Sequence, residues 1–224
     1  MSDRGTRMPV VALVSGRGSN LRAIAERARR GDPAIDIRAV VSDREDAGGI
    51  EWARSVGLES ATLSPRNFPD RARYDAALAA LVAGFEPRLV ILAGFMRILG
   101  PEFVDRFAGQ TLNIHPSLLP RHRGLHTHRR VLEAGEREHG ASVHFVTREL
   151  DGGPVVIQAK VPVRDDDDEA SLAARVLEQE HRIYPQAVGW FASGRLLFAD
   201  GAAWLDRKRL DSPVLIDAAS NDAA

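Results

Sequence analysis

The chain has 224 residues, 44% of them hydrophobic, enough to bury a sizeable core in one large domain or two small ones. Thirty Lys and Arg against 31 Asp and Glu leave a formal charge of −1, which excludes a global electrostatic footprint for nucleic acid or an anionic membrane. The absence of cysteine excludes disulfides, a catalytic thiol and thiolate metal ligands, and makes the reducing cytoplasm the expected compartment.

In chain order, PVVALVS (9–15) predicts a strand and NLRAIAERARRG (20–31) a helix. IDIRAVVSD (35–43) predicts a strand, GGIEWARSVGL (48–58) a helix, and ATLS (61–64) a short strand. DRARYDAALAALVAGF (70–85) then reads as a helix and RLVILAGF (88–95) as a strand. Short β-rich runs alternating with amphipathic segments of about ten to fifteen residues are the signature of βαβ units on a parallel sheet. A doubly wound α/β fold is therefore expected. The first apolar run is too short for a signal sequence or a membrane span, and no later run reaches spanning length.

The pattern changes at 110. QTLNIHPS (110–117) ends a strand in a loop enforced by Pro116 and Pro120, and HTHRRVLEAGER (126–137) predicts a helix. GASVHFVTREL (140–150) and GPVVIQAKVPV (153–163) predict two strands joined by the turn signal DGG, a close return that makes the sheet mixed. ASLAARVLEQEHRIYPQAVGWFASG (170–194) predicts a long helix that Pro185 should kink or divide. RLLFADGAAWLD (195–206) reads as a small hairpin anchored by Trp204. A single domain over 1–210 is expected, with 211–224, which lacks periodicity, as a mobile tail.

Three positions carry chemistry. SGRGSNL (15–21) follows the first strand and opens the first helix, so Gly16 and Gly18 permit close backbone approach to an anion at a helix N-terminus. Ser19 and Asn20 would add donors, one of them as N-cap; the plainer alternative is an ordinary tight βα turn. Leu21 stands where a full dinucleotide fingerprint has its third glycine, and no Gly-Lys-Ser/Thr makes a P-loop. In LNIHPSLLP (112–120), Asn113 and His115 are two apart in a strand and share one face, at the strand end where open α/β sheets hold ligands. Either alone could satisfy buried backbone groups; together they offer an oxyanion donor and a proton-carrying ring. Asp151, in LDGGP, could simply form the turn, or could orient His115 and favour its charged form.

Six of seven histidines lie between 115 and 144, yet His126 and His128 do not share a helical face and no H-E-x-x-H pattern occurs, so no metal site is expected. The acidic run Asp165 to Asp168 lacks EF-hand spacing and reads as a solvated loop. With no cysteine and no G-x-S-x-G elbow, acyl chemistry here would need the substrate to supply the nucleophile.

GRGSNL, LAGFMRIL, LNIHPSLLP, GLHTH, SVHFVTRELDGGPVVIQAKVPV and QEHRIYP together resemble the phosphoribosylglycinamide formyltransferases, members of the folate-dependent formyltransferase superfamily, over about residues 9–209. The resemblance implies a formyltransferase-like fold, 10-formyltetrahydrofolate as cosubstrate, glycinamide ribonucleotide as acceptor, and no metal. It implies that Gly18, Ser19 and Asn20 hold the acceptor's phosphate and that Glu180 contacts the same substrate. It places folate against Arg71, Met96, Arg97, Ile98, Leu99, Asn113 and the segment Thr147, Arg148, Glu149, Leu150 and Asp151. Asn113, His115 and Asp151 would be the catalytic group. Leu177 stands one turn before Glu180 where relatives often have a polar residue. A hydrolase releasing formate from the same folate, and a nucleotide-binding module without catalysis, are the competing expectations.

Overall fold

The computed structural model describes residues 7–217. Its first half alternates strictly: β1 (Met8–Val14), α1 (Ser19–Arg29), β2 (Ile35–Ser42), α2 (Gly48–Ser55), β3 (Ser60–Thr62), α3 (Arg71–Gly84), β4 (Leu89–Leu92), α4 (Pro101–Arg106) and β5 (Thr111–His115). There follow α5 (Thr127–Glu133), β6 (Glu138–Phe145), β7 (Val155–Pro162) and α6 (Glu169–Ala192). The chain closes with β8 (Leu196–Ala199), β9 (Ala202–Leu205), β10 (Lys208–Arg209) and β11 (Val214–Asp217).

Eight strands form one sheet in the order β11-β7-β6-β5-β4-β1-β2-β3. β1 lies parallel to both β2 and β4, and β4 parallel to β5. β6 then runs antiparallel to β5 and β7, giving the mixed C-terminal part that the close return predicts. β1 is almost wholly buried because helices cover both faces of the sheet. Alternation along it divides the core: Val10, Ala12 and Val14 join Leu21, Ile24 and Ile183 on one face, while Val11 and Leu13 join Tyr74, Leu78 and Phe103 on the other.

Two expectations are corrected. α6 runs unbroken through Pro185, which is buried inside it. Proline removes one N–H donor and crowds the preceding turn, a cost of about 3 kcal/mol, and packing over the helix's buried face outweighs it. Asp168 caps this helix in a box with Ser171, and Asp167 pairs with Arg175, so two of the four acidic loop residues are structural. The second correction concerns the tail: Val214–Asp217 forms β11, an edge strand parallel to β7, so the folded unit passes residue 210. Residues 218–224 lie outside the described residues. The predicted terminal hairpin is present as β8 and β9, and β10 adds a third strand beside β9.

Candidate active site

β1 delivers the glycine-rich loop to the carboxyl edge of the sheet. Gly18, not Ser19 or Asn20, is the N-cap of α1, in the left-handed region at φ 72°. A Cβ at Gly18 would lie 2.7 Å from the Cα of Gly49, and the Gly49 N–H donates to the Gly16 carbonyl at 2.9 Å. The turn thus packs backbone against backbone, which leaves a side-chain cap no place. No side chain caps the first turn of α1, so its donors can meet an anion. Asn20 is buried, and its Nδ2 donates to Glu180 Oε2 at 2.6 Å. Burial pushes the Glu180 carboxyl up to about 7, opposed by the Asn20 hydrogen bond. Asn20 Oδ1 is buried without a partner.

Ser15 stitches this loop to the end of β4: its N–H donates to the Gly94 carbonyl at 3.0 Å and its Oγ accepts from the Met96 N–H at 2.9 Å. Beside Gly94 and Met96 opens a cavity of about 440 Å³ lined also by Arg97, Ile98, Asn113, His115 and Asp151. Met96, Ile98, Leu125 and Leu150 stand exposed about its mouth, an apolar rim that suits a flat organic ligand. A smaller recess adjoins it, lined by Leu99 and by residues 147–151.

At the cavity's polar end the residues of β5 meet the loop between β6 and β7. His115 Nδ1 lies 3.5 Å from Asp151 Oδ2, and its Nε2 donates to the His122 carbonyl at 3.0 Å. Both ring nitrogens face oxygens, so the ring can donate to both only when doubly protonated. Asp151 takes a positive φ of 48° and its Oδ2 accepts the Gly124 N–H at 2.9 Å, which pins the loop after β5. Asn113 Nδ2 lies 3.1 Å from Nε2 of His144, the residue opposite it on β6. Burial lowers His144 to about 4, and its Nδ1 contacts the Phe145 carbonyl at 2.9 Å.

The structure therefore gathers Asn113, His115 and Asp151 in one place, and Gly18, Ser19, Asn20 and Glu180 in another beside it. Met96, Arg97, Ile98, Leu99, Thr147, Glu149 and Leu150 line the cavity or its recess. Arg148 lines the recess but pairs its guanidinium with Asp105, with Nε 2.8 Å from the carboxylate. Arg71 lines neither: it donates to the Ile98 carbonyl at 2.8 Å and sits 3.4 Å from Asp75, bracing the loop from behind. His144 is the site residue that sequence reasoning missed. Its signal was its alternation with Ser142 in SVHFV, which identifies a partner only once the β5–β6 register is known. His128 and His139 form a hydrogen-bonded pair at 3.0 Å, and among the described residues no three such side chains converge as a metal-holding group.

The model of the formyl transferase family matches residues 8–188. Phosphoribosylglycinamide formyltransferase of Escherichia coli is 53% identical over 203 residues, covering 91% of this chain and 96% of that protein. The chain belongs to the formyl transferase family. A solved phosphoribosylglycinamide formyltransferase from Coxiella burnetii superimposes with a TM-score of 0.90 at 43% identity, covering 94% of this chain and 99% of the other. A formyltetrahydrofolate deformylase from Pseudomonas syringae matches with a TM-score of 0.82, covering 90% of this chain and 66% of that one. At 24% identity, that likeness speaks for the fold alone. Residues 111–162, inside the matched region, carry both the catalytic candidates and the antiparallel return.

Proposed function

We propose that the chain transfers the formyl group of 10-formyltetrahydrofolate to the amine of 5-phosphoribosylglycinamide in the cytoplasm, as a step of purine synthesis. The observation that carries this reading is that Asn113, His115 and Asp151 line the polar end of an apolar-rimmed cavity whose wall, at Gly94 and Met96, is hydrogen-bonded through Ser15 to the loop before the uncapped start of α1. The helix start suits a phosphorylated acceptor, the cavity a folate, and the polar group lies where the two would meet.

In this mechanism the acceptor's amine attacks the formyl carbon, and the carbonyl becomes a tetrahedral oxyanion. Asn113 has a second amide N–H beyond the one at His144 and donates it to that oxygen. His115 donates from Nδ1; at 3.5 Å from Asp151 that proton is not committed to the carboxylate. The carbon–nitrogen bond to folate then breaks, and the proton lost by the amine reaches the departing nitrogen through water held at Asp151. Ser19 and the Gly18 backbone hold the phosphate, with Asn20 and Glu180 beneath it; Met96 to Leu99 and Thr147 to Leu150 hold the folate.

The test is to incubate the protein with formyl-labelled 10-formyltetrahydrofolate, with and without 5-phosphoribosylglycinamide. Label should move to the nucleotide and little should appear as formate without it. Formate released at one rate in both would sink the transfer reading in favour of hydrolysis.

A further inference from the structure

His144 is absent from the catalytic group just described, yet both of its ring nitrogens are engaged beside it. The ring is buried on β6, directly opposite Asn113 in the antiparallel register. Immediately before it the β6–β7 pairing slips: Val143 pairs with Ile157, but His144 with Val155. Such irregularities re-aim a side chain. Here the ring is wedged between two fixed groups. Its Nδ1 is 2.9 Å from the Phe145 carbonyl, which can only accept, so Nδ1 must carry a proton. In the neutral ring Nε2 is then a bare acceptor, and the amide atom 3.1 Å away must be the NH2 end of Asn113. A flipped amide would set its oxygen against the Nε2 lone pair.

We propose that His144 is a positioning residue: as a neutral imidazole held in its Nδ1–H tautomer, it accepts one N–H of Asn113 and so aims the other at the formyl oxygen. This role rests on the reading of Asn113 as an oxyanion donor. Asparagine is a poor oxyanion donor unless its orientation is set, because its two ends are alike in shape and opposite in polarity. His144 sets it. The charged and titratable groups about the ring are Asp151, 3.7 Å from Nε2, with His115 and Arg123 beyond. Desolvation dominates over the attraction of Asp151 and keeps the ring neutral at working pH.

Two measurements test this. Imidazole 15N NMR of the intact, labelled protein should show His144 protonated at Nδ1, bare at Nε2, and not titrating between about pH 6 and 8. An Nε2–H tautomer, or titration in that range, would overturn the proposal without any variant having to fold. In kinetics, His144→Leu removes the acceptor and should lower kcat towards the loss in Asn113→Ala, on the order of a hundredfold, with the folate KM little changed. His144→Gln retains an acceptor at the ε position and should recover at least about tenfold of that loss. Wild-type kcat in His144→Leu, with Asn113→Ala impaired, would overturn the role of His144 alone. Near-wild-type kcat in Asn113→Ala would instead overturn the oxyanion assignment beneath it.

Discussion

Asn20 and Glu180 are 160 residues apart in the chain and 2.6 Å apart in space, joining the first turn of α1 to the middle of α6. Because burial raises the Glu180 carboxyl from 4.5 to about 7, folding takes up a proton there. The sign follows: the stability that goes with the protonated carboxyl is full below about 4.5 and is lost as pH rises through about 7. Glu180→Gln stays neutral, so it should gain on wild type across that window, by an amount on the order of 3 kcal/mol at most. Urea midpoints of both proteins at several pH values provide the measurement; a difference that does not change with pH would remove burial as the cause. Asn20→Ala removes the donor that fixes Glu180 beneath the phosphate, so it should weaken nucleotide binding indirectly, by up to about 1.5 kcal/mol, while leaving folate affinity nearly unchanged. Calorimetric titration with each ligand decides it, and equal weakening of both would count against a dedicated phosphate end.

β11 shows what a single element contributes and why it escaped notice. Four residues are too few for a periodic pattern, and their stability comes from the open edge of β7, where Val214 and Ile216 also pack against the core. Removing residues 211–224 should cost on the order of 2 kcal/mol of apolar burial and lower the melting temperature by several degrees. It should also promote aggregation, since β7 becomes an unprotected edge. Calorimetric scanning of the shortened and full chains is the check; identical melting would mean the strand adds nothing. The same physics decides how much of the molecule the sequence reveals. Strands β1, β2 and β4 are legible as apolar runs and α1 from its amphipathic period, while α3 is legible from its run of Ala and Leu behind the Asp70 cap. The spacing of Asn113 and His115 is legible because a strand fixes it. The unbroken helix at Pro185 is not, because distant packing offsets a local penalty. The N-cap at Gly18 depends on Gly49 lying against it, and His144 depends on a register set across the intervening loop and α5. Where a feature is made by contact between segments, local pattern carries no record of it.

Taken whole, the sheet reverses its winding at β1: β2 and β3 lie to one side, β4, β5, β6, β7 and β11 to the other. The crevice at such a reversal is where open α/β sheets hold ligands. The glycine-rich loop leaves β1 there, the apolar rim leaves β4, and His115 ends β5. The antiparallel return of β6 and β7 then brings Asp151 back to the same edge, so the site is closed by a loop from the part of the sheet that is not parallel. His115 and Asp151 belong to different segments yet lie 3.5 Å apart; in the proposed mechanism they act on one proton and one oxyanion, so their substitutions should not be independent. His115→Ala removes an oxyanion donor, a loss of about 2.7–4 kcal/mol, or on the order of a hundred- to a thousandfold in kcat. Asp151→Asn keeps an acceptor for the Gly124 N–H but removes the charge beside the ring and the base that holds the transferring water. Because each change disables one unit, the double variant should be little worse than the poorer single one. kcat is to be measured for wild type, both singles and the double, with folate binding checked in each. Losses that multiply fully would show that the two groups act separately, and near-wild-type activity in His115→Ala would remove the ring from the chemistry.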